Sequence, residues 1–77
     1  MLAVLSIMIS RAEAVEKVNA ILHDYADAVL GRMGIPVRDR GVNVISLVLD
    51  TDAARINALG GKLGGIDGVR AKALYGS

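Results

Sequence analysis

The 77-residue sequence has no cysteine, no tryptophan and no phenylalanine, and only one proline, Pro36. Without cysteine there is no disulfide framework, no thiolate metal site and no cysteine nucleophile, and a reducing, cytoplasmic setting is the expected one. A single histidine, His23, is present. A transition-metal site takes three or four N, O or S ligands, and only Asp24 and Asp27 lie near His23 in sequence. It reads as a helix-end histidine favoured by the helix dipole, with no metal and no other cofactor expected. Charge of one sign is also lacking: nine basic residues face eight acidic ones, intermixed along the chain. Nucleic-acid binders of this size carry a concentrated basic face, so no direct nucleic-acid contact is expected.

Long hydrophobic runs are missing too. Met1 to Ile9 is apolar but far short of the roughly 20 residues that span a membrane. It has no positive region ahead of it and no small-residue cleavage site before Arg11 and Glu13, so it reads as a buried strand and not as a secretory signal. No membrane partner is expected.

What remains is aliphatic. Leu, Val, Ile, Ala and Met abound, and Tyr25 and Tyr75 are the only aromatics. A chain this short forms one domain, residues 1–77, and buries only about 60% of its unfolded surface. So much aliphatic surface on so small a body calls for a further place to hide it, and self-association supplies one.

The punctuation of the chain gives an order of elements. Leu2 to Ile9 is a strand. Ser10 and Glu13 have the spacing of a capping box, which predicts a helix from Arg11 fading between His23 and Ala26. Its core stripe is Val15, Val18, Leu22 and Tyr25. Ala28 to Ile35 is a second strand, with Gly31 and Gly34 suggesting a bulge and Pro36 confining it to a sheet edge. Arg38 to Gly41 is a turn. Val42 to Leu49 is the clearest strand. Asp50, Thr51 and Asp52 offer N-caps for a second helix with the stripe Ile56, Leu59 and Leu63. Gly64-Gly65 ends it through a left-handed cap, with Gly60-Gly61 able to bring the end earlier. Asp67-Gly68 turns into a last strand, Val69 to Tyr75, whose Arg70 and Lys72 suit an edge. Gly76-Ser77 reads as a free tail. The order β-α-β-β-α-β predicts an α+β, ferredoxin-like sandwich: a four-stranded antiparallel sheet, two helices on one face, and the first and third strands side by side at the centre.

Those two strands are apolar on both faces. One set, Ala3, Leu5, Ile7, Ile9 with Ile45, Leu47, Leu49, must meet the helices. The other should be polar if it faced water. Instead it carries Val4, Ser6 and Met8 beside Val44, Ser46 and Val48, with Leu2 and Val42 at the ends. A second subunit's sheet is expected to cover this face, giving a dimer or tetramer. The two serines could hydrogen-bond across the seam or line a small polar pocket in it.

Motifs for catalysis are weak. Ser6 or Ser46, His23 and an aspartate could be assembled on paper, but neither serine sits on a nucleophile elbow. Gly60 to Gly65 follows a helix and has neither Walker nor dinucleotide spacing, so helix termination is its expected role. Arg32, Arg38 and Arg40 cluster around the second strand and its turn. They could meet an anion or a partner's carboxylates, or form a solvated hairpin with Asp39.

Taken together, Gly31-Arg32-Met33-Gly34-Ile35-Pro36, the charged turn, Val44 to Leu49, Leu59-Gly60-Gly61-Lys62-Leu63-Gly64 and Gly68-Val69 resemble the iron-only hydrogenase system regulators. Those are short proteins of anaerobic bacteria, and the resemblance covers nearly the whole chain. The family is similar to the ACT-like C-terminal domain of nickel-responsive repressors, which is ferredoxin-like and assembles through its sheets. The histidines and cysteine that bind nickel in those repressors are unmatched. No ribbon-helix-helix segment precedes the first strand in these residues, and Ile9-Ser10-Arg11 has no glycine where ACT domains hold an amino acid. The resemblance implies a non-enzymatic regulatory or sensory module, oligomeric, taking a small molecule or a protein partner at a subunit interface. A small enzyme of the dimeric α+β barrel kind is the competing reading, because that architecture also pairs ferredoxin-like sheets.

Overall fold

The computed structural model describes residues 1–76. Along the chain lie β1 (Leu2–Ile9), α1 (Val15–Asp24), β2 (Val29–Val37), β3 (Val42–Asp50), α2 (Ala53–Gly64) and β4 (Val69–Tyr75), with 3-10 turns at Ala12–Ala14, Ala26–Ala28 and Arg38–Arg40. The strands form one sheet in the order β2-β3-β1-β4, every pair antiparallel. This is the ferredoxin-like arrangement, with β1 and β3 central.

The alternation of β1 decides the layering. Ala3, Leu5, Ile7 and Ile9 are buried while the residues between them are exposed. They pack with Ile45, Leu47 and Leu49 of β3 against Val18 and Leu22 of α1 and Ile56, Leu59 and Leu63 of α2. Burying each of these larger side chains contributes about 1.5–3 kcal/mol. Both helical stripes thus lie on the core, and Tyr25 joins it from just past α1. Next to it, the Arg55 guanidinium donates to both Asp27 carboxylate oxygens at 2.8 and 3.0 Å. Arg55 and Lys62 each sit 5.1 Å from the Tyr25 ring centroid. The exit of α1 is therefore clasped to one side of α2.

Several local expectations change. The capping box does not form: the Ser10 hydroxyl donates to the Gly68 carbonyl at 3.1 Å, and Glu13 accepts from Arg11 Nε at 2.6 Å. With both side chains engaged elsewhere, the chain passes through a 3-10 turn and α1 begins at Val15 instead of Arg11. The cap of α2 is Asp52, whose carboxylate accepts from the Arg55 N–H at 2.7 Å. That helix runs through Gly60 and Gly61 and does end at Gly64, but Gly65 is right-handed, with φ −78°. The left-handed glycines are Gly41 (φ 64°) and Gly68 (φ 83°), both in turns. β2 runs on through Pro36 to Val37, at the sheet edge where a missing N–H is tolerated. Gly76 is not free, since its N–H donates to the Leu2 carbonyl at 2.7 Å. Ser77 lies outside the described residues.

Candidate functional site

The face of the sheet away from the helices is built in rows by the strand register. Leu74, Val4, Val48 and Gly31 lie across β4, β1, β3 and β2 in one row. Lys72, Ser6, Ser46 and Met33 form the next, and Arg70, Met8, Val44 and Ile35 the third. Leu2, Val4, Met8, Met33, Ile35, Val48 and Leu74 are exposed, from 38% at Val4 to 72% at Leu74. Val42, Val44 and Ser46 are half-buried by their neighbours.

All six residues read from the sequence as an interface, Val4, Ser6, Met8, Val44, Ser46 and Val48, share this face. The edge strands extend it with Met33, Ile35 and Leu74, which the sequence reading left out. The reason lies at Leu30, where the pairing of β2 with β3 slips between Val29 and Gly31. One extra residue reverses the phase of every later side chain, so the alternation of β2 gives the correct face only once the bulge is located. For Leu74, alternation from Arg70 and Lys72 would have sufficed.

The polar groups on the face are the Ser6 and Ser46 hydroxyls at its centre, the cations Arg70 and Lys72 on β4, and Asp50 at one end. Arg70 and Lys72 stand opposite Met8 and Ser6 on the β4 side. With Ser6 and Met8 they line a shallow hollow of about 270 Å³. A second hollow of about 240 Å³ lies between Met8, Val42 and Val44, with Arg40 at its margin. Asp50, at the far end of β3, is held at 3.2 Å by the chain's N-terminal ammonium.

The three arginines do not converge. Arg32 pairs with Leu47, a core residue, and so belongs to the helix side, where it donates to Asn19 Oδ1 at 2.8 Å. Arg38 lines a hollow at the β2–β3 turn with Ala12 and Pro36, while Arg40 borders the open face. His23 is exposed in the last turn of α1. Among the described residues no group of three or more His, Asp or Glu side chains is placed to hold a metal ion. No helix among them is long and apolar enough to cross a membrane.

The βαββαβ sandwich, with a largely aliphatic open sheet face, is a ferredoxin-like α+β domain. Residues 1–73 match the family described as "TM1266-like: Iron-only hydrogenase system regulator, putative", and the chain belongs to that family. The solved structure of TM1266 from Thermotoga maritima, an uncharacterized protein, superposes with a TM-score of 0.91 at 43% identity, covering 95% of this chain and 92% of that one. A formyltetrahydrofolate deformylase from Pseudomonas putida KT2440 superposes with a TM-score of 0.71 at 15% identity. There the chain is covered to 99% but spans only 29% of the deformylase, a likeness of fold alone. No curated protein matches the chain.

Proposed function

We propose that the protein is a non-enzymatic regulatory module that works as a homo-oligomer, a dimer or tetramer, joined through the open face of its sheet. The observation that carries this reading is the aliphatic patch on the open face, with Leu74 on β4, Val4 and Met8 on β1, Val44 and Val48 on β3, and Met33 and Ile35 on β2. Soluble monomers rarely expose a contiguous apolar patch beyond about 300–600 Å². Two such faces stacked at about 10 Å would interdigitate as in a β-sandwich. The membership in a family of hydrogenase-system regulators gives the regulatory half of the proposal.

The polar groups suit a seam that also receives something. Buried hydroxyls need partners, and Ser6 and Ser46 can find them in each other, in a partner copy or in a small ligand. Arg70 and Lys72 would rim such a seam with positive charge. Light scattering coupled to size exclusion at micromolar concentration tests the proposal: a mass of two or four chains supports it, and a mass of about 8 kDa removes its main support.

A further inference from the structure

Another hollow is on the other side of the sheet, away from the proposed seam. It is a cleft of about 400 Å³ between the end of α1 and the helix-side face of β2. Leu22, Val29 and Leu47 give it an apolar wall, and Asn19, His23 and Arg32 give it polar groups. A second lobe of about 170 Å³ continues along β2 past Gly34, and Asn19 and Arg32 line both. The Arg32–Asn19 hydrogen bond therefore crosses the waist of one two-lobed groove.

Three features make this more than a gap beside an edge strand. The first is the state of Arg32. Among the described residues the arginine ion pairs belong to Arg11 and Arg55, and Arg32 meets only a neutral amide. The second is that no carboxylate lines either lobe. The third is Gly34, whose φ is not positive and where a Cβ would meet nothing within 4 Å. Neither backbone conformation nor crowding requires glycine there, yet its lack of a side chain keeps the second lobe open.

We infer that this groove is a binding site for a small organic anion: an apolar body in the larger lobe and one carboxylate or phosphate group on Arg32. A guanidinium with only an amide partner can accept such a group with two parallel hydrogen bonds, displacing or sharing Asn19. The cleft volume is at the lower end of the range for small-molecule sites. The absence of any lining carboxylate favours an anion over a zwitterion, whose ammonium would find no counter-charge. The whole site comes from one chain, so it is independent of the proposed self-association.

Benzoate, phenyl phosphate, inorganic phosphate and benzylamine are suitable probes, each titrated into ¹⁵N-labelled full-length protein and followed by NMR. Benzoate or phenyl phosphate is expected to saturate with shifts centred on Asn19, His23, Ala26, Val29 and Arg32, and the tighter of the two identifies the head group. Arg32→Met should weaken binding about tenfold, the 1.4 kcal/mol step of one charge-assisted contact. Arg32→Lys should recover part of it, and Ala26→Leu, which fills the larger lobe without touching a charge, should abolish it. Val48→Lys on the open face should leave it intact, which separates failure of this site from failure of the oligomer proposal. The inference is overturned if benzylamine or inorganic phosphate binds as well as the aromatic anions, or if Arg32→Met binds like the parent protein. Shifts confined to the open sheet face, or no saturable shift with either aromatic anion, would also overturn it.

Discussion

Ser6 and Ser46 lie directly opposite each other in the pairing of β1 with β3, between the Val4–Val48 and Met8–Val44 pairs. Two hydroxyls thus occupy the middle of a face that is otherwise aliphatic along its central strands. On an exposed sheet they would cost little. At a seam they would be the groups that must find partners, and that difference can be measured. Removing one serine at a buried seam strands the other, at about 1–3 kcal/mol of association free energy, whereas removing both can be nearly neutral. Ser6→Ala, Ser46→Ala and the double variant, compared by sedimentation equilibrium, should therefore be strongly non-additive. Additive and negligible effects would place both serines in solvent.

The core and the open face should respond in opposite ways. Leu5 is fully buried, and Leu5→Ala is expected to cost about 3 kcal/mol in urea unfolding. Leu74 is 72% exposed. Leu74→Ala should change the stability of a single chain by no more than about 0.5 kcal/mol. If subunits join through this face, its larger effect will be on the protein-concentration dependence of the midpoint.

Two glycines offer a contrast. Gly41 has φ 64° with open space around its Cα, so Gly41→Ala should cost only the left-handed penalty, about 1 kcal/mol. Gly68 has φ 83°, and a Cβ there would come within 2.4 Å of the Arg11 side chain. Gly68→Ala should lose more, and Arg11→Ala in the same chain should restore part of the difference. Equal losses at the two glycines would show that the Arg11 contact is unimportant. Thermal unfolding of these three variants beside the parent reads the comparison.

How much of this was legible in the sequence depended on whether a signal was local. The limits of β1 and β4 and both helical stripes followed from periodicity, because burial on one side imposes it. The capping box of Ser10 and Glu13 failed because its partners are remote or competing: Gly68 is 58 residues away and Arg11 is adjacent. Met33 and Ile35 were lost because Gly31 and Gly34 signalled a bulge in the second strand without fixing its place, which the register puts at Leu30. The arginine cluster dissolved for a related reason, since pairing with Leu47 turns Arg32 to the helix side while Arg40 borders the open face.

The clasp between the two helices carries a pH dependence. Hydrogen bonding by Arg55 holds the Asp27 carboxyl below its ordinary range. A depressed carboxyl contributes stability that is present above its unfolded pKa, near 4, and is lost as pH falls through the lower folded value. Asp27→Asn should therefore flatten part of the acid limb of unfolding while leaving neutral-pH behaviour less affected than Tyr25→Ala, which empties a core position. An unchanged acid limb in Asp27→Asn would remove the clasp from the acid response. The Asp27 titration itself can be followed by carboxyl ¹³C NMR.

The central claim, association through the open face, is tested most directly by one comparison: the mass in solution of the parent protein and of Val48→Lys, by light scattering across a micromolar concentration series. Val48 is 41% exposed and sits in the row with Val4 and Leu74. A lysine there adds to a face already positive at Arg70 and Lys72 without disturbing the core. The account predicts a multiple of the 8.0 kDa chain for the parent and a folded monomer for Val48→Lys. A parent that is monomeric throughout the series, or a Val48→Lys variant with the same multiple as the parent, would contradict it.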